Sequence, residues 1–241
     1  MRRAAVLALV VALTGCGGER LAEPRTEKRA GADRPALDRG LVAALGDSIT
    51  AGSPLWDPDP AFRAQIAAPT GMPPDERSQW GYWFERANPG RRVRNCGVFG
   101  ERTDEIAARL ERCAAGAATL VVQGGINDIA QGRPPADAAR ELDDMVRSGQ
   151  AGGRSVALVE VLPWNNGYPA AAPQIDELNR RIGEIGRRRK VPVFGWYAAL
   201  EDPAARGRMR APLTIDGDHP SVAGYERLAA LVKLPLPAER P

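Results

Sequence analysis

Short apolar runs alternate along this chain with segments of helical periodicity, and this alternation constrains the fold more than any other feature of the sequence. The third and fourth runs are almost continuously apolar, which is typical of strands covered on both faces of a sheet. Strands that alternate with helices in this way predict a parallel sheet between two helical layers. The five predicted strands are Leu41–Leu45, Arg92–Cys96, Thr119–Gln123, Ser155–Val161 and Val191–Phe194.

The helical segments between these strands begin at sequence signals for helix starts. Ser78 and Thr103 are predicted to cap two of the helices, because their hydroxyls can accept a hydrogen bond from the first turn. Trp80 and Trp83 follow Ser78 at helical spacing and are predicted to lie in the core. Three further helices are predicted around Leu142–Val146, Ile175–Ile185 and Ser221–Leu231.

One segment, Ser53–Arg77, shows little periodicity and contains six prolines. It is too long for an ordinary connection in an α/β domain. The sequence leaves open whether it is a functional loop or a decoration that covers the site.

Length and charge limit the classes of protein to which the chain can belong. A chain of 241 residues, 44% hydrophobic, can bury one full core, which predicts a single domain. The formal net charge of +3 includes Arg2 and Arg3, which lie in a segment expected to be removed, so charge gives no case for nucleic acid. The chain has one histidine, which argues against a metal site. No cofactor is expected, and a monomer is predicted.

The N-terminus has the pattern of an export signal. Met1–Arg3 is basic, and the ten apolar residues that follow are too few to span a bilayer. The run closes in Leu-Thr-Gly-Cys16, which resembles a bacterial lipobox and implies acylation of Cys16. We therefore expect a signal peptide over 1–15, an acylated cysteine with a flexible tether over 16–40, and the folded domain over 41–241. This predicts an exported bacterial lipoprotein at the outer face of the cell membrane or in the periplasm; ordinary secretion is the alternative.

Two short stretches carry the residues for nucleophilic catalysis. Ser48 follows the first predicted strand, and His219, the sole histidine, lies on the loop before the last helix. A serine nucleophile needs a base that is neutral near pH 7, and histidine is the usual one. Asp216 is predicted to orient the imidazole, with Asp218 as its rival. If Ser48 merely capped a helix, its hydroxyl would carry no such role.

Four blocks in this order resemble the GDSL/SGNH hydrolase family. They are Gly46-Asp47-Ser48, then Gly97 and Gly100, then Gly125-x-Asn127-Asp128, and finally Asp216-x-x-His219-Pro220. The resemblance runs from about residue 41 to about residue 231. It implies that the backbone amides of Ser48 and Gly100 and the side-chain amide of Asn127 form an oxyanion hole. Asn127 as a simple turn cap is the alternative reading.

Four other residues are candidates for lining the substrate pocket: Asp47, Phe99, Trp164 and Asn165. Asp47 is also expected to bond the turn before Ser48. Phe99 departs from the family, in which a small residue is more usual, and is expected to narrow the acyl site. Trp164 and Asn165 are candidates because they follow the end of a strand, although a solvated loop is an equal alternative.

Cys96 and Cys113 remain once Cys16 is acylated, and a disulfide between them is permitted in an exported protein. The first ends a strand and the second ends the next predicted helix, so the two side chains are expected at opposite ends of the layer. The pairing is left open.

The sequence thus predicts a three-layer, flavodoxin-like α/β/α fold with five parallel strands in the order 2-1-3-4-5. The predicted activity is hydrolysis of carboxylic esters, with short acyl or acetyl groups favoured, on small-molecule or glycan substrates. Transfer of the acyl group to a glycan hydroxyl is one alternative. A non-catalytic carbohydrate- or lipid-binding module is the other.

Overall fold

The computed structural model describes residues 36–234 and contains the predicted five-stranded parallel sheet. The strand order is β2-β1-β3-β4-β5, with every neighbouring pair parallel, so the predicted fold class and strand order are confirmed. The strands are β1 (Asp38–Gly46), β2 (Arg92–Gly97), β3 (Ala117–Val122), β4 (Ser155–Val159) and β5 (Val193–Phe194).

Ten α-helices and two short 3-10 helices, Ala68–Thr70 and Ala211–Leu213, accompany these strands within the described residues. In chain order the α-helices are α1 (Ser48–Ala51), α2 (Pro60–Ala67), α3 (Trp80–Ala87), α4 (Thr103–Ala108), α5 (Leu110–Ala114), α6 (Ile126–Ala130), α7 (Pro135–Ala151), α8 (Ala172–Arg189), α9 (Trp196–Leu200) and α10 (Val222–Leu231). A two-stranded antiparallel hairpin, β6 (Glu201–Asp202) with β7 (Ala205–Met209), was not predicted.

Alternate side chains along the strands point to opposite faces of the sheet and pack in two separate cores. Ala43 and Leu45 of β1 pack in a core with helices α4, α5, α7 and α8. Val42 and Ala44 pack in a second core with α3, α9 and α10. The sheet is therefore covered on both faces, which explains why its central strands consist largely of apolar residues.

Both predicted caps were placed wrongly. Gln79 rather than Ser78 precedes α3, and the buried Ser78 hydroxyl has no hydrogen-bond partner in the described part of the chain. Thr103 is the first residue of α4, and its Oγ1 donates to Asp128 at 2.8 Å. Trp80 lies fully in the core as predicted, while Trp83 is only partly buried.

A disulfide joins Cys96 to Cys113, with the two Cα atoms 6.0 Å apart. The expectation that the two side chains lie at opposite ends of the layer was wrong. It assumed one continuous helix, whereas α4 ends at Ala108 and α5 begins at Leu110. This interruption brings Cys113 beside the end of β2.

The irregular segment over 53–77 leaves the domain and returns at neighbouring points. A Cβ atom built on Gly52 would lie 2.3 Å from the carbonyl oxygen of Ser78, and φ of +106° at Gly52 also favours glycine. The Asp75 amide donates to the Leu55 carbonyl at 2.8 Å, which ties the two limbs together again. Helix α2 lies within the segment.

The start of the folded domain differs from the prediction by a few residues. β1 begins at Asp38, so residues 38–40, expected in the tether, belong to the sheet. The predicted signal peptide, Cys16 and the tether up to residue 35 lie outside the described residues. No helix between residues 36 and 234 is long and apolar enough to cross a bilayer.

Candidate active site

Ser48 lies at the carboxyl end of β1, where the strand turns directly into α1. Asp47 caps this short helix, since its Oδ1 accepts a hydrogen bond from the Ile49 amide at 2.9 Å. The turn is so tight that a Cβ atom on Gly46 would lie 2.3 Å from the Thr50 hydroxyl oxygen. The cap and the glycine fix the Ser48 side chain at the edge of the sheet.

Asp47 is buried beneath this turn and pairs with Gln123, the residue that follows β3. Gln123 Nε2 donates to Asp47 Oδ2 at 3.0 Å, while Gln123 Oε1 accepts from the Asp47 amide at 3.1 Å and from the Thr50 hydroxyl at 2.9 Å. Burial raises the pKa of Asp47 to about 6, because few water molecules remain to solvate the charge. Asp47 therefore supports the turn and does not line the cavity described below, and its place in the substrate pocket stays a prediction.

His219 lies opposite Ser48 on the loop before α10, and its ring connects two side chains. Its Nε2 is 3.1 Å from Ser48 Oγ, and its Nδ1 is 2.7 Å from Asp216 Oδ2. The other Asp216 oxygen accepts from the His219 amide at 2.7 Å. Burial acts to raise the pKa of Asp216, but hydrogen bonds and charge from His219 outweigh it and hold that pKa below its usual value.

Asp218, the rival for this role, faces a different group. Its Oδ1 accepts a hydrogen bond from the Trp164 indole at 2.6 Å. The loop itself is held by Thr214, whose hydroxyl donates to the His219 carbonyl at 2.8 Å. Of the two carboxylates, Asp216 alone contacts the imidazole in this arrangement.

Trp164 and Asn165 support the loop that carries His219, through contacts with Asp218 and Gly217. The Asn165 side chain makes two hydrogen bonds to the Met209 backbone. Its Oδ1 accepts from the Met209 amide at 2.6 Å, and its Nδ2 donates to the Met209 carbonyl at 3.2 Å. The Asn165 amide donates to the Gly217 carbonyl at 2.9 Å. Neither Trp164 nor Asn165 lines the cavity described below, and their place in the substrate pocket stays a prediction.

The loop that follows β2 carries the remaining polar groups. Gly100 has φ of +79°, a conformation that favours glycine. Asn127, in the first turn of α6, donates from Nδ2 to the Glu101 carbonyl at 2.9 Å, so its side chain is fastened to the residue after Gly100. Ser48 is the first residue of α1, and amides at that position have no acceptor within their own helix.

Arg109, which the sequence reading missed, links three pieces of this site. Its guanidinium pairs with the Glu101 carboxylate, with Nε 3.0 and 2.9 Å from the two oxygens. It also donates to the Cys96 carbonyl at 2.8 Å and to the Gly46 carbonyl at 3.2 Å. Arg109 thereby joins the ends of β1 and β2 to the loop of Gly100.

Phe99 stacks on the imidazole of His219, with ring centroids 6.1 Å apart and planes inclined by 27°. Its ring is 47% exposed and forms one wall of a cavity of about 520 Å³. Phe62, from the segment over 53–77, meets Phe99 at a centroid distance of 5.9 Å. This aromatic wall extends from the imidazole into the cavity.

A hydroxyl, an imidazole and a carboxylate in this order form the hydrogen-bonded chain that activates a serine nucleophile. Asp216 can hold the proton on Nδ1, which leaves Nε2 free to accept one from Ser48 Oγ. No group of three or more metal-ligating carboxylate, cysteine or histidine side chains occurs in residues 36–234.

Several solved structures share the fold at low sequence identity. One is a protein from Desulfitobacterium hafniense described as lipolytic and of the G-D-S-L family (TM-score 0.64, 16% identity, 80% of this chain and 97% of that one covered). Another is a GDSL-like lipase from Bacteroides thetaiotaomicron (TM-score 0.61, 22% identity, 80% of this chain and 85% of that one covered). A third is a mutant of an acetyl-xylooligosaccharide esterase from Geobacillus (TM-score 0.61, 21% identity, 81% of this chain and 93% of that one covered). At these identities the likeness shows the fold.

Comparison with curated protein sequences gives no match. A family model does match: that of the GDSL-like lipase/acylhydrolase family covers residues 44–227, from within β1 to within α10. This range includes every block on which the sequence resemblance was based, and it supports ester hydrolysis as the general reaction. Because the match spans most of its length, the chain belongs to the GDSL-like lipase/acylhydrolase family.

Proposed function

We propose that the chain is a serine esterase that hydrolyses carboxylic esters through an acyl-enzyme on Ser48. The observation that carries the proposal is the chain of contacts from Ser48 Oγ through His219 to Asp216, at 3.1 and 2.7 Å. Both distances lie within reach for transfer of a proton between nucleophile and base. In a chain with one histidine, no other imidazole is available to serve Ser48.

In the first half-reaction, Ser48 Oγ attacks the ester carbonyl carbon and His219 Nε2 takes the hydroxyl proton. The carbonyl oxygen becomes an oxyanion, which the amides of Ser48 and Gly100 and the side chain of Asn127 stabilise. The bond to the alcohol oxygen then breaks, and the imidazolium donates its proton to the leaving alcohol. Asp216 stabilises the imidazolium and fixes its tautomer.

In the second half-reaction, water takes the place of the alcohol. His219 removes a proton from the water as its oxygen attacks the acyl carbon, and returns that proton to Ser48 Oγ as the acid leaves. One ester and one water give one acid and one alcohol, and the enzyme is regenerated.

Short acyl groups, acetyl above all, are the proposed preference. Phe99 is bulky and lies directly before Gly100 in the loop that supplies an oxyanion donor. Acetylated xylo-oligosaccharides deserve a place among the test substrates, since the Geobacillus protein of the same fold is named for them.

A fluorophosphonate probe and a panel of esters with graded acyl length test the proposal. Wild type is expected to be labelled and to hydrolyse acetate esters fastest, while Ser48→Ala gives neither labelling nor turnover. Faster turnover of long acyl chains would remove the acyl preference. A wild-type protein that is neither labelled nor active would favour the alternative of a binding module. Transfer products formed on added glycans would instead identify an acyltransferase.

We also propose that the mature protein is exported and tethered to a membrane through an acylated Cys16. The lipobox-like sequence supports this, and the disulfide between Cys96 and Cys113 suits an oxidising compartment. Metabolic labelling with palmitate tests it. Wild type is expected to carry the label in the membrane fraction, and Cys16→Ser to lose it. Equal labelling of both proteins would contradict the assignment.

A further inference from the structure

The cavity of about 520 Å³ beside Phe99 is lined by the segment over 53–77, by β2 with the loop that follows it, and by residues of 109–113. Asp57, Pro58 and Phe62 come from the segment. Val98 and Phe99 follow β2, and both cysteines of the disulfide also line the cavity. The segment that the sequence could not explain is therefore one wall of a cavity.

Phe99 is the residue that connects the cavity with the reacting groups, because it lines the cavity and also contacts the imidazole. The Phe99 ring contacts Phe62 on one side and stacks on His219 on the other, at centroid distances of 5.9 and 6.1 Å. In the proposed reaction, His219 must reach the oxygen of the departing alcohol in order to protonate it. The alcohol therefore lies beside the imidazole, and a group attached to it extends along Phe99.

Most charged groups of the lining already have partners, which indicates what the cavity can hold. Asp57 and Asp59 each accept a backbone amide, at 2.8 and 2.9 Å, and Arg109 is paired with Glu101. Arg94 donates to two backbone carbonyls, at 2.9 and 2.6 Å. An uncharged apolar occupant gains contact with the rings without breaking these bonds, whereas a charged occupant has to compete with them.

We infer that this cavity is the subsite for the alcohol part of the ester and that it takes an uncharged aromatic ring. The inference rests on the proposed function, because the leaving-group side is defined by the proton that His219 delivers. Phe62 and Phe99 present two tilted rings to the occupant, and a third ring in offset or edge-on contact is the arrangement that such a pair favours.

The test compares benzyl acetate with ethyl acetate, two acetates of primary alcohols that differ by the ring. Wild type is expected to favour benzyl acetate in kcat/KM by about tenfold or more, the gain typical of burying an aromatic ring. Phe62→Ala is expected to lower this ratio towards one, and Phe62→Leu, which keeps most of the bulk, to retain part of it. Tyr82→Ala, which removes a ring on α3 outside the cavity lining, is the matched control and should leave the ratio unchanged.

Two further substrates separate the inference from its rivals. Ethyl phenylacetate carries the ring on the acyl side, and its rate relative to ethyl acetate should not respond to Phe62→Ala. A response there, with none for benzyl acetate, would place the acyl group in the cavity and overturn the inference. A benzyl acetate with a para carboxylate that reacts faster than benzyl acetate would overturn it as well, in favour of an anionic occupant near the exposed Arg112.

A binding measurement keeps this test separate from the test of esterase activity. Benzyl alcohol is titrated into the full chain carrying Ser48→Ala, with and without Phe62→Ala, and followed by NMR. Saturable binding that weakens about tenfold on loss of the Phe62 ring supports the subsite even if no ester is turned over. Equal binding by the two proteins, or none, overturns it whatever the esterase assays show.

Discussion

Replacing Arg109 with methionine should impair the oxyanion hole without touching a reacting atom. The substitution keeps most of the aliphatic stem but removes the guanidinium that holds Glu101, the Cys96 carbonyl and the Gly46 carbonyl. Gly46 lies two residues before Ser48, and Glu101 directly follows Gly100. Two of the proposed oxyanion donors therefore lose a common anchor.

The size of the effect follows from burial and from the number of bonds lost. The Arg109 and Glu101 side chains are only 14% and 18% exposed, so the pair is little screened by solvent. Leaving a mostly buried carboxylate without its partner, and taking one donor from each of two carbonyls, should lower the free energy of unfolding by about 2–4 kcal/mol. Loss of a whole oxyanion donor lowers kcat by about 10²–10³, so displaced donors should lower it by about 10–100-fold.

A thionoester comparison distinguishes a weakened oxyanion hole from general damage. Sulfur accepts hydrogen bonds more weakly than oxygen, so a thionoester gains less from these donors. The oxoester-to-thionoester ratio of kcat should therefore fall in Arg109→Met, with KM nearly unchanged, and Arg109→Lys should recover part of the ratio. Arg189→Met, which breaks a comparable ion pair with Asp143 between α7 and α8, should leave it unchanged. An unaltered ratio and kcat in folded Arg109→Met would refute the reasoning.

For Asp47, a pKa raised by burial from 3.8 to about 6 means that wild type loses stability as pH rises through this range, whereas Asn does not ionise. In urea titrations, the free energy of unfolding of Asp47→Asn should therefore rise by up to about 3 kcal/mol relative to that of wild type between pH 4 and pH 7. A difference between the two proteins that does not change with pH would contradict this prediction. Replacing Cys96 and Cys113 with alanine should lower the free energy of unfolding by about 3 kcal/mol, as expected for a crosslink across 17 residues; wild type that is equally stable with and without a thiol reductant would disagree.

The sheet was predictable because its signals are local. An apolar run in the sequence predicts each central strand, and the order of strands follows from the family that the four blocks resemble. The contacts of Ser48, His219 and Asp216 also lie where short motifs at strand and loop ends placed them. In these regions, neighbours in sequence carry most of the information.

The supporting residues were not predictable, because their partners are remote in sequence. Gln123 reaches Asp47 across 76 positions, and Arg109 reaches Gly46 across 63. Neither a glutamine after a strand nor an arginine between two helices is distinctive as a sequence signal. The supporting contacts of Asn165 were missed for a related reason, since its position after a strand does not reveal that the Met209 backbone bonds both of its side-chain polar atoms.

The near-contact between Gly52 and Ser78 has a consequence for how this enzyme can be altered. Because the two ends of the segment over 53–77 lie close together, its length and composition can change while the residues at its ends keep their positions. The sheet, the nucleophile and the base all lie outside that segment. If the cavity is the alcohol subsite as proposed, exchanging the segment for a loop of different chemistry should change which alcohols are accepted and leave Ser48, His219 and Asp216 in place.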